Sequence, residues 1–230
     1  MAQVTTLGER RTSVDDVFDY LHDEITSLRL KPGDRISEAE IAARFSVSRQ
    51  PVRDAFSRLA NLDLLLIRPQ RATEVRRFSM REIEKSRFVR ASVEKEVLRR
   101  AADRCDALGC TNLDAALAQQ ETVVAAGDVE RFGQLDYEFH RTLCAISGTD
   151  YAFDVILTEK AKIDRLCMLG IEKEQRLPVL LSDHRAMAEA VKANDADGVV
   201  AAGMLHLSRL DETIARISTT NANYFEHSEV

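Results

Sequence analysis

The sequence predicts a mostly α-helical protein: an N-terminal winged helix-turn-helix with a small two-stranded wing, then an all-α bundle of six helices. Three observations carry that expectation. Two short helical stretches are separated by only Ser46 and Val47, and two strand-like runs flank Pro69 just after them. From Ser79 onward apolar residues recur at helical spacing, with no alternating strand pattern. The 230 residues hold only 4 prolines, 9 glycines and no tryptophan, which disfavours a turn-rich β fold.

Taken in order, residues 1–12 are polar and read as a disordered tail. Ser13 is positioned to cap a first helix running to about Arg29, with Asp16 in the capping-box position and Val17, Leu21, Ile25 and Leu28 as its inner stripe. LKPGDRI turns the chain at Pro32 and Gly33. SEAEIAARF (37–45) is a second helix, in which Ser37 and Glu40 form the S-x-x-E box while Ile41, Ala42 and Phe45 face inward.

SVSRQPVRDAF (46–56) opens the third helix, capped at Ser48 with Pro51 in its first turn. Its buried stripe is Val52, Ala55, Leu59 and Leu62; Arg49 and Arg53 lie one turn apart, away from that stripe. Arginines near the N-terminus of the second helix of a helix-turn-helix are placed to meet base edges in the major groove, where a guanidinium can make two hydrogen bonds to guanine. By themselves two such arginines are as well explained by an ordinary solvated helix face. LLLIRP (64–69) and ATEV (72–75) form the wing, and RRFSMRE (76–82) is the linker.

Along these residues the chain resembles the GntR family of bacterial transcription regulators. The likeness covers about residues 14–75 and is carried by GDRISEAEIAARFSVSRQPVRDAFSRL and the wing. It implies that Arg49 and Arg53, with the adjoining Ser48 and Gln50, contact double-stranded operator DNA, and that Arg71 at the wing tip approaches the minor groove. Many members have glycine where Asp63 and Ala72 stand. If those positions need positive φ, Asp is tolerated and Ala is not.

Charge agrees with that reading once its distribution is considered. The net charge is −6, but residues 44–77 hold 8 arginines against Asp54, Asp63 and Glu74, a local excess suited to phosphate. Residues 79–230 hold 19 Lys+Arg against 26 Asp+Glu. No apolar run approaches the roughly 18 residues of a membrane span, and MAQVTTLGERR lacks the apolar core of a signal peptide. The expectation is a cytoplasmic protein without a membrane partner. Cys105, Cys110, Cys144 and Cys167 show no C-x-x-C spacing and read as small, largely buried residues.

The second domain, residues 78–219, divides into helices at about 80–105, 111–126, 128–147, 151–170, 178–193 and 196–218, with breaks at Gly109, Gly127, Gly148, Pro178 and Asn194-Asp195. Residues 220–230 read as a frayed tail. Ionisable side chains interrupt the apolar stripes. Asp136 and His140 continue the stripe of Val129, Phe132 and Leu143. His184 shares a face with Leu180, Met187 and Val191, and His206 with Val199, Ala202, Leu210 and Ile217. Each could be a hydrogen-bonded core histidine. Together, three imidazoles and a carboxylate suit a divalent cation between helices, zinc first, then nickel or iron. His22 and His227 lack such surroundings. Arg90 and Glu94 share the inner face of the first bundle helix, either as a mutual ion pair or with Arg90 as a fork for an effector carboxylate.

Across about residues 80–218 this domain is similar to the FadR C-terminal, or FCD, ligand-binding domain, closest to its VanR-like branch. In that likeness DYEFH supplies Asp136 and His140, SDH supplies His184 and MLH supplies His206 as metal ligands. A small organic acid is the implied effector, with Arg90 binding it. The function expected is a homodimeric, ligand-responsive repressor released by that acid. Two alternatives remain at this point: a metal-dependent hydrolase fused to a DNA-binding head, and a regulator whose signal is the metal itself. The His-Asp pair of HD-type hydrolases appears here only as Asp183-His184, whose side chains leave a helix about 100° apart.

Overall fold

The computed structural model describes residues 12–167, 169 and 173–226, with the side chains of Cys167 and residues 173–175 left aside. The chain forms two compact units, one of residues up to Ser79 together with those from Asn221 on, the other Met80–Thr220. Residues 1–11, 168, 170–172 and 227–230 lie outside the described residues, and with them most of the expected N-terminal tail and His227.

In the first unit, α1 (Ser13–Thr26) packs on α3 (Arg49–Asn61) through Val17, Leu21, Ile25, Val52, Ala55, Phe56 and Leu59, all buried. The α1 cap lies one residue earlier than expected. The Thr12 hydroxyl accepts from the Asp15 amide, and the Thr12 amide donates to the Asp15 carboxylate. Ser13 is therefore the first helical residue, because threonine closes the same reciprocal box. The helix also ends sooner, and Leu28 sits at φ 61° in the turn rather than on the inner stripe. Helix α2 (Glu38–Phe45) begins as expected at Ser37, whose hydroxyl accepts from the Glu40 amide. Its C-cap Ser46 has φ 55°, a left-handed residue that lets the chain reverse into α3 within two residues.

Two further expectations change. Leu62 is 53% exposed: it is the C-cap of α3, already turned off the helical stripe. The wing strands β2 (Leu65–Leu66) and β3 (Thr73–Val75) pair antiparallel, but a third strand, β1 (Arg35–Ile36), adds to the other edge of β3. Two residues are too few to show an alternating pattern, so RI read as part of a turn. Residues 221–226, expected to fray, are held in this unit. Phe78 and Phe225 form a parallel bridge, their rings 5.6 Å apart, and Glu226 donates its amide to the Phe78 carbonyl at 2.8 Å. Two adjacent aromatics, Tyr224 and Phe225, in a polar run gave no periodic signal.

The second unit holds α4 (Met80–Arg104), α5 (Ala107–Ala126), α6 (Val129–Ser147), α7 (Ala152–Cys167), α8 (Lys173–Lys192), α9 (Ala196–Ser208) and α10 (Asp211–Thr220). Seven helices thus stand among the described residues where six were expected, since the stretch 196–218 breaks at Arg209 and Leu210. No Gly or Pro marks that break; Arg209 instead pairs with Asp183 of α8. Gly109 and Pro178 do not break helices. Asp106 caps α5 by accepting from the Gly109 amide, so the helix starts before the glycine. Pro178 lies inside α8, which continues through it although the proline forfeits one helical hydrogen bond. Gly127 and Gly148 do end helices, both in left-handed C-caps. The core gathers Leu98, Leu113, Phe139, Leu143, Ile156, Met187 and Val199 from α4 to α9. Cys144 is buried as expected, but Cys105 and Cys110 are only half-buried, their sulfurs 3.7 Å apart.

Candidate functional site

Helix α6 carries Asp136 and His140 four residues apart, α8 carries His184 and α9 carries His206. The fold brings all four together. One potential ligand atom from each lies within 4.8 Å of every other, and all four side chains are buried. The Nε2 atoms of His140 and His184 and the Nδ1 of His206 are buried without a hydrogen-bond partner. Three orphaned imidazole nitrogens in one core are costly unless something else engages them.

Their surroundings fix how they point. Glu94 of α4 lies 2.9 Å from His140 Nδ1 through Oε2. Gln120 of α5, wholly buried, places Oε1 2.8 Å from His184 Nδ1. The same amide donates its Nε2 to the Leu135 carbonyl at 3.2 Å, which leaves only its oxygen for the histidine. His184 must therefore carry its proton on Nδ1, so its orphaned Nε2 presents a lone pair, the tautomer a metal ligand requires. Burial pushes His184 down to about 4, which keeps that ring neutral at neutral pH. Asp136 divides its oxygens: Oδ1 is 3.3 Å from His184 Nε2, near enough for charge but not aligned as a hydrogen bond, and Oδ2 is 3.1 Å from Lys160. Burial alone would raise Asp136, but the Lys160 ammonium and the histidines hold it well below the carboxylate range. Three imidazoles and one ionised carboxylate, with Glu94 and Gln120 behind two of the rings, fit a divalent cation.

Arg90 is 3% exposed and places Nε and Nη2 each 2.9 Å from one oxygen, Glu94 Oε1. The mutual ion pair of the sequence reading is therefore present. Glu94 does more than orient Arg90, since its other oxygen holds His140. Burial would raise Glu94, but His140 and Arg90 bring it down to about 2. Arg90 also joins Arg87, Ile163, Met204, Leu207 and Leu210 around a cavity of about 130 Å³. Lys160 was missed in the sequence because a lysine on an amphipathic helix is normally solvated; nothing local marks it as buried. Asp183 makes a two-pronged pair with Arg209, both contacts at 3.1 Å, and its Oδ2 lies 3.7 Å from His206 Nδ1, close enough for charge but too far for a hydrogen bond.

In the first unit, Ser48 is the N-cap of α3 by backbone position, with no cap hydrogen bond from its hydroxyl. Arg49, Gln50, Arg53 and Arg71 are all exposed. Arg49 and Arg71 share a groove of about 380 Å³ with Arg35 and Thr73, so the wing tip and the start of α3 form one surface. Arg35 was not foreseen, because β1 itself was not. Arg53 is paired with Glu38 at 2.9 Å, and Gln50 donates to Asp54 at 2.9 Å. The left-handed residues of the wing are Asp63 (φ 57°) and Gln70 (φ 58°), not Ala72, so alanine there meets no strain.

A winged helix-turn-helix joined to a helical domain with a buried polar pocket defines a ligand-responsive, DNA-binding regulator of transcription rather than an enzyme. The chain belongs to the GntR family of bacterial regulatory proteins, whose model matches residues 13–75, and it carries an FCD domain at residues 86–209. Over 225 residues it is 32% identical to the HTH-type transcriptional repressor RspR of Escherichia coli (strain K12), covering 98% of this chain and 99% of that one. A probable D-xylose utilization operon transcriptional repressor of Paenarthrobacter nicotinovorans is 29% identical over 198 residues, 82% of each chain. The solved structure of E. coli McbR/YncC shares the fold, with a TM-score of 0.64 and 18% identity over 92% of this chain and 100% of that one. Among the described residues no helix is long and apolar enough to cross a membrane.

Proposed function

We propose that this protein is a cytoplasmic, homodimeric repressor that binds operator DNA through Ser48, Arg49, Gln50, Arg53 and Arg71 and is released by a small organic acid. Asp136, His140, His184 and His206 hold a divalent metal ion, zinc before nickel or iron, and Arg90 receives the acid beside it. The observation that carries the metal assignment is the set of three orphaned, buried imidazole nitrogens beside an ionised carboxylate. When bound, the ion supplies a positive charge for the acid's oxygens. The chain's own residues do the rest. Glu94 and Gln120 hold two of the rings, and the Arg90 guanidinium offers directed donors that fix a carboxylate's orientation. Repression, rather than activation, is favoured by relatives that are themselves named repressors. Arg90 lies on α4, the helix that begins at Met80 straight after the DNA-binding unit, so a change at the pocket has a short covalent route to that unit.

The test is operator binding by purified protein with elemental analysis of its metal, titrated with candidate acids before and after chelation. The proposal expects metal near one per chain and release of DNA by an acid only in the loaded protein. Release that follows metal concentration with no acid present would make the metal the signal instead. Protein that holds no divalent metal at any loading would overturn the metal site.

A further inference from the structure

Lys160 of α7 is 8% exposed and is held from three sides. Its Nζ is 2.6 Å from Asp164 Oδ2, one turn along the same helix, and 4.0 Å above the Tyr137 ring. The Tyr137 hydroxyl donates to the same Asp164 oxygen at 2.5 Å, which braces that carboxylate against α6. Asp164 and Tyr137 therefore fix the ammonium independently of the cluster. From that position it reaches 3.1 Å to Asp136 Oδ2, the oxygen turned away from His184.

This arrangement has two consequences for any cation that enters among Asp136, His140, His184 and His206. One Asp136 oxygen is already committed, so the carboxylate has a single oxygen to offer. A full positive charge is also built into the wall of the site, in a buried setting where like charges repel far more than in water. Arg90, two bonds of the same network away through Glu94 and His140, is a second cation but has its own carboxylate partner. Of the two, Lys160 is the one that pairs directly with a candidate ligand, Asp136.

We propose that Lys160 is a built-in counter-cation of Asp136 that restricts the carboxylate to one metal-facing oxygen and weakens the site for divalent metal, so that the ion stays exchangeable. The inference rests on the metal reading above. Its sign follows from two effects in the same direction. Removing the ammonium removes a repulsion from the metal-bound state. It also strands the buried Asp136 charge in the metal-free state, and a metal relieves that.

The experiment strips wild type, Lys160→Met, Lys160→Gln and Lys160→Arg with a chelator and measures zinc affinity by competition with a metal-binding dye, alongside melting temperature with and without zinc. Lys160→Met and Lys160→Gln should bind zinc at least about tenfold tighter and gain more thermal stability from it than wild type. Lys160→Arg, which keeps the charge, should stay within about threefold of wild type. Equal or weaker zinc binding in folded Lys160→Met and Lys160→Gln overturns the proposal, as does a Lys160→Arg variant that behaves like Lys160→Met. If Lys160→Met does not fold when stripped, Lys160→Gln, whose amide can still donate to Asp136, carries the comparison. His184→Ala is the control for the site itself. Wild type that binds no zinc refutes the metal reading, whereas zinc binding lost in His184→Ala and unchanged in Lys160→Met refutes only the role of Lys160.

Discussion

At Arg90 the structure changes what a substitution means. Both nitrogens that face Glu94 are engaged, and Glu94 in turn holds His140. Arg90→Ala would strand a buried carboxylate and is expected to destabilise the bundle by about 3–5 kcal/mol, so loss of function there would say little about the effector. Arg90→Lys keeps the charge without the planar fork. It should leave folding and operator affinity near wild type while weakening the response to the releasing acid, read as a rightward shift in its titration of operator binding. Gln120 is the corresponding test for the histidines. Gln120→Leu removes the acceptor that holds the His184 proton on Nδ1, and metal affinity should fall about 10–100-fold in a protein that still folds. At the DNA face, alanine at Arg49 or Arg53 should each cost about 1–3 kcal/mol against the cognate operator and relax preference at one base position. A loss equal on all sequences would assign that arginine to phosphate. For Arg53 the measured cost includes release of Glu38, its partner in the free protein.

At the level of elements, the segment after α10 is the main departure from expectation. Its backbone pairs with Phe78, Arg77 donates to the Asn223 carbonyl at 3.1 Å, and Phe225 is 6% exposed. The DNA-binding unit is thus closed by residues from the far end of the chain. Phe225→Ala should destabilise that unit by about 3 kcal/mol, the low end for a buried aromatic, and should speed amide exchange at Phe78. Asn223→Ala, which removes an exposed side chain and leaves the backbone acceptor, should change stability by less than about 0.5 kcal/mol. The same scale explains the helix starts that moved. Thr12 and Asp106 each hold an amide three residues on, so the helices open where a cap exists rather than where a glycine or serine stands in the sequence.

For the molecule as a whole, charge is partitioned by task. The chain is acidic overall, yet arginines cluster on the helix-turn-helix and wing, while the bundle buries carboxylates and cations in pairs. Such pairs are weak sources of stability but costly to break, which makes the bundle sensitive to whatever occupies its polar centre. Chelation should therefore lower the melting temperature of the bundle, because a ligand that binds only the folded state stabilises it by mass action. His184→Ala and His206→Ala should each show a smaller drop. Calorimetry with and without chelator decides this, and an identical drop in both variants would assign the ion elsewhere.

Local chemistry in the sequence carried most of the architecture: cap residues, the run SVSRQPVRDAF and the 3.6-residue stripes depend on near neighbours. The same periodicity put Asp136, His140, His184 and His206 on inward faces, since a helix stripe continues whether its members are apolar or not. It also placed Arg90 and Glu94 together, one turn apart. What needed the folded chain were contacts between residues far apart in sequence. Gln120 behind His184, Lys160 on Asp136, Arg209 on Asp183 and Phe225 on Phe78 each join residues at least 24 positions apart. No short-range pattern encodes such a pair. Which proton a histidine carries, which oxygen of Asp136 stays available and where the last strand-like residues pair follow from packing, because only tertiary structure decides what a buried polar atom meets.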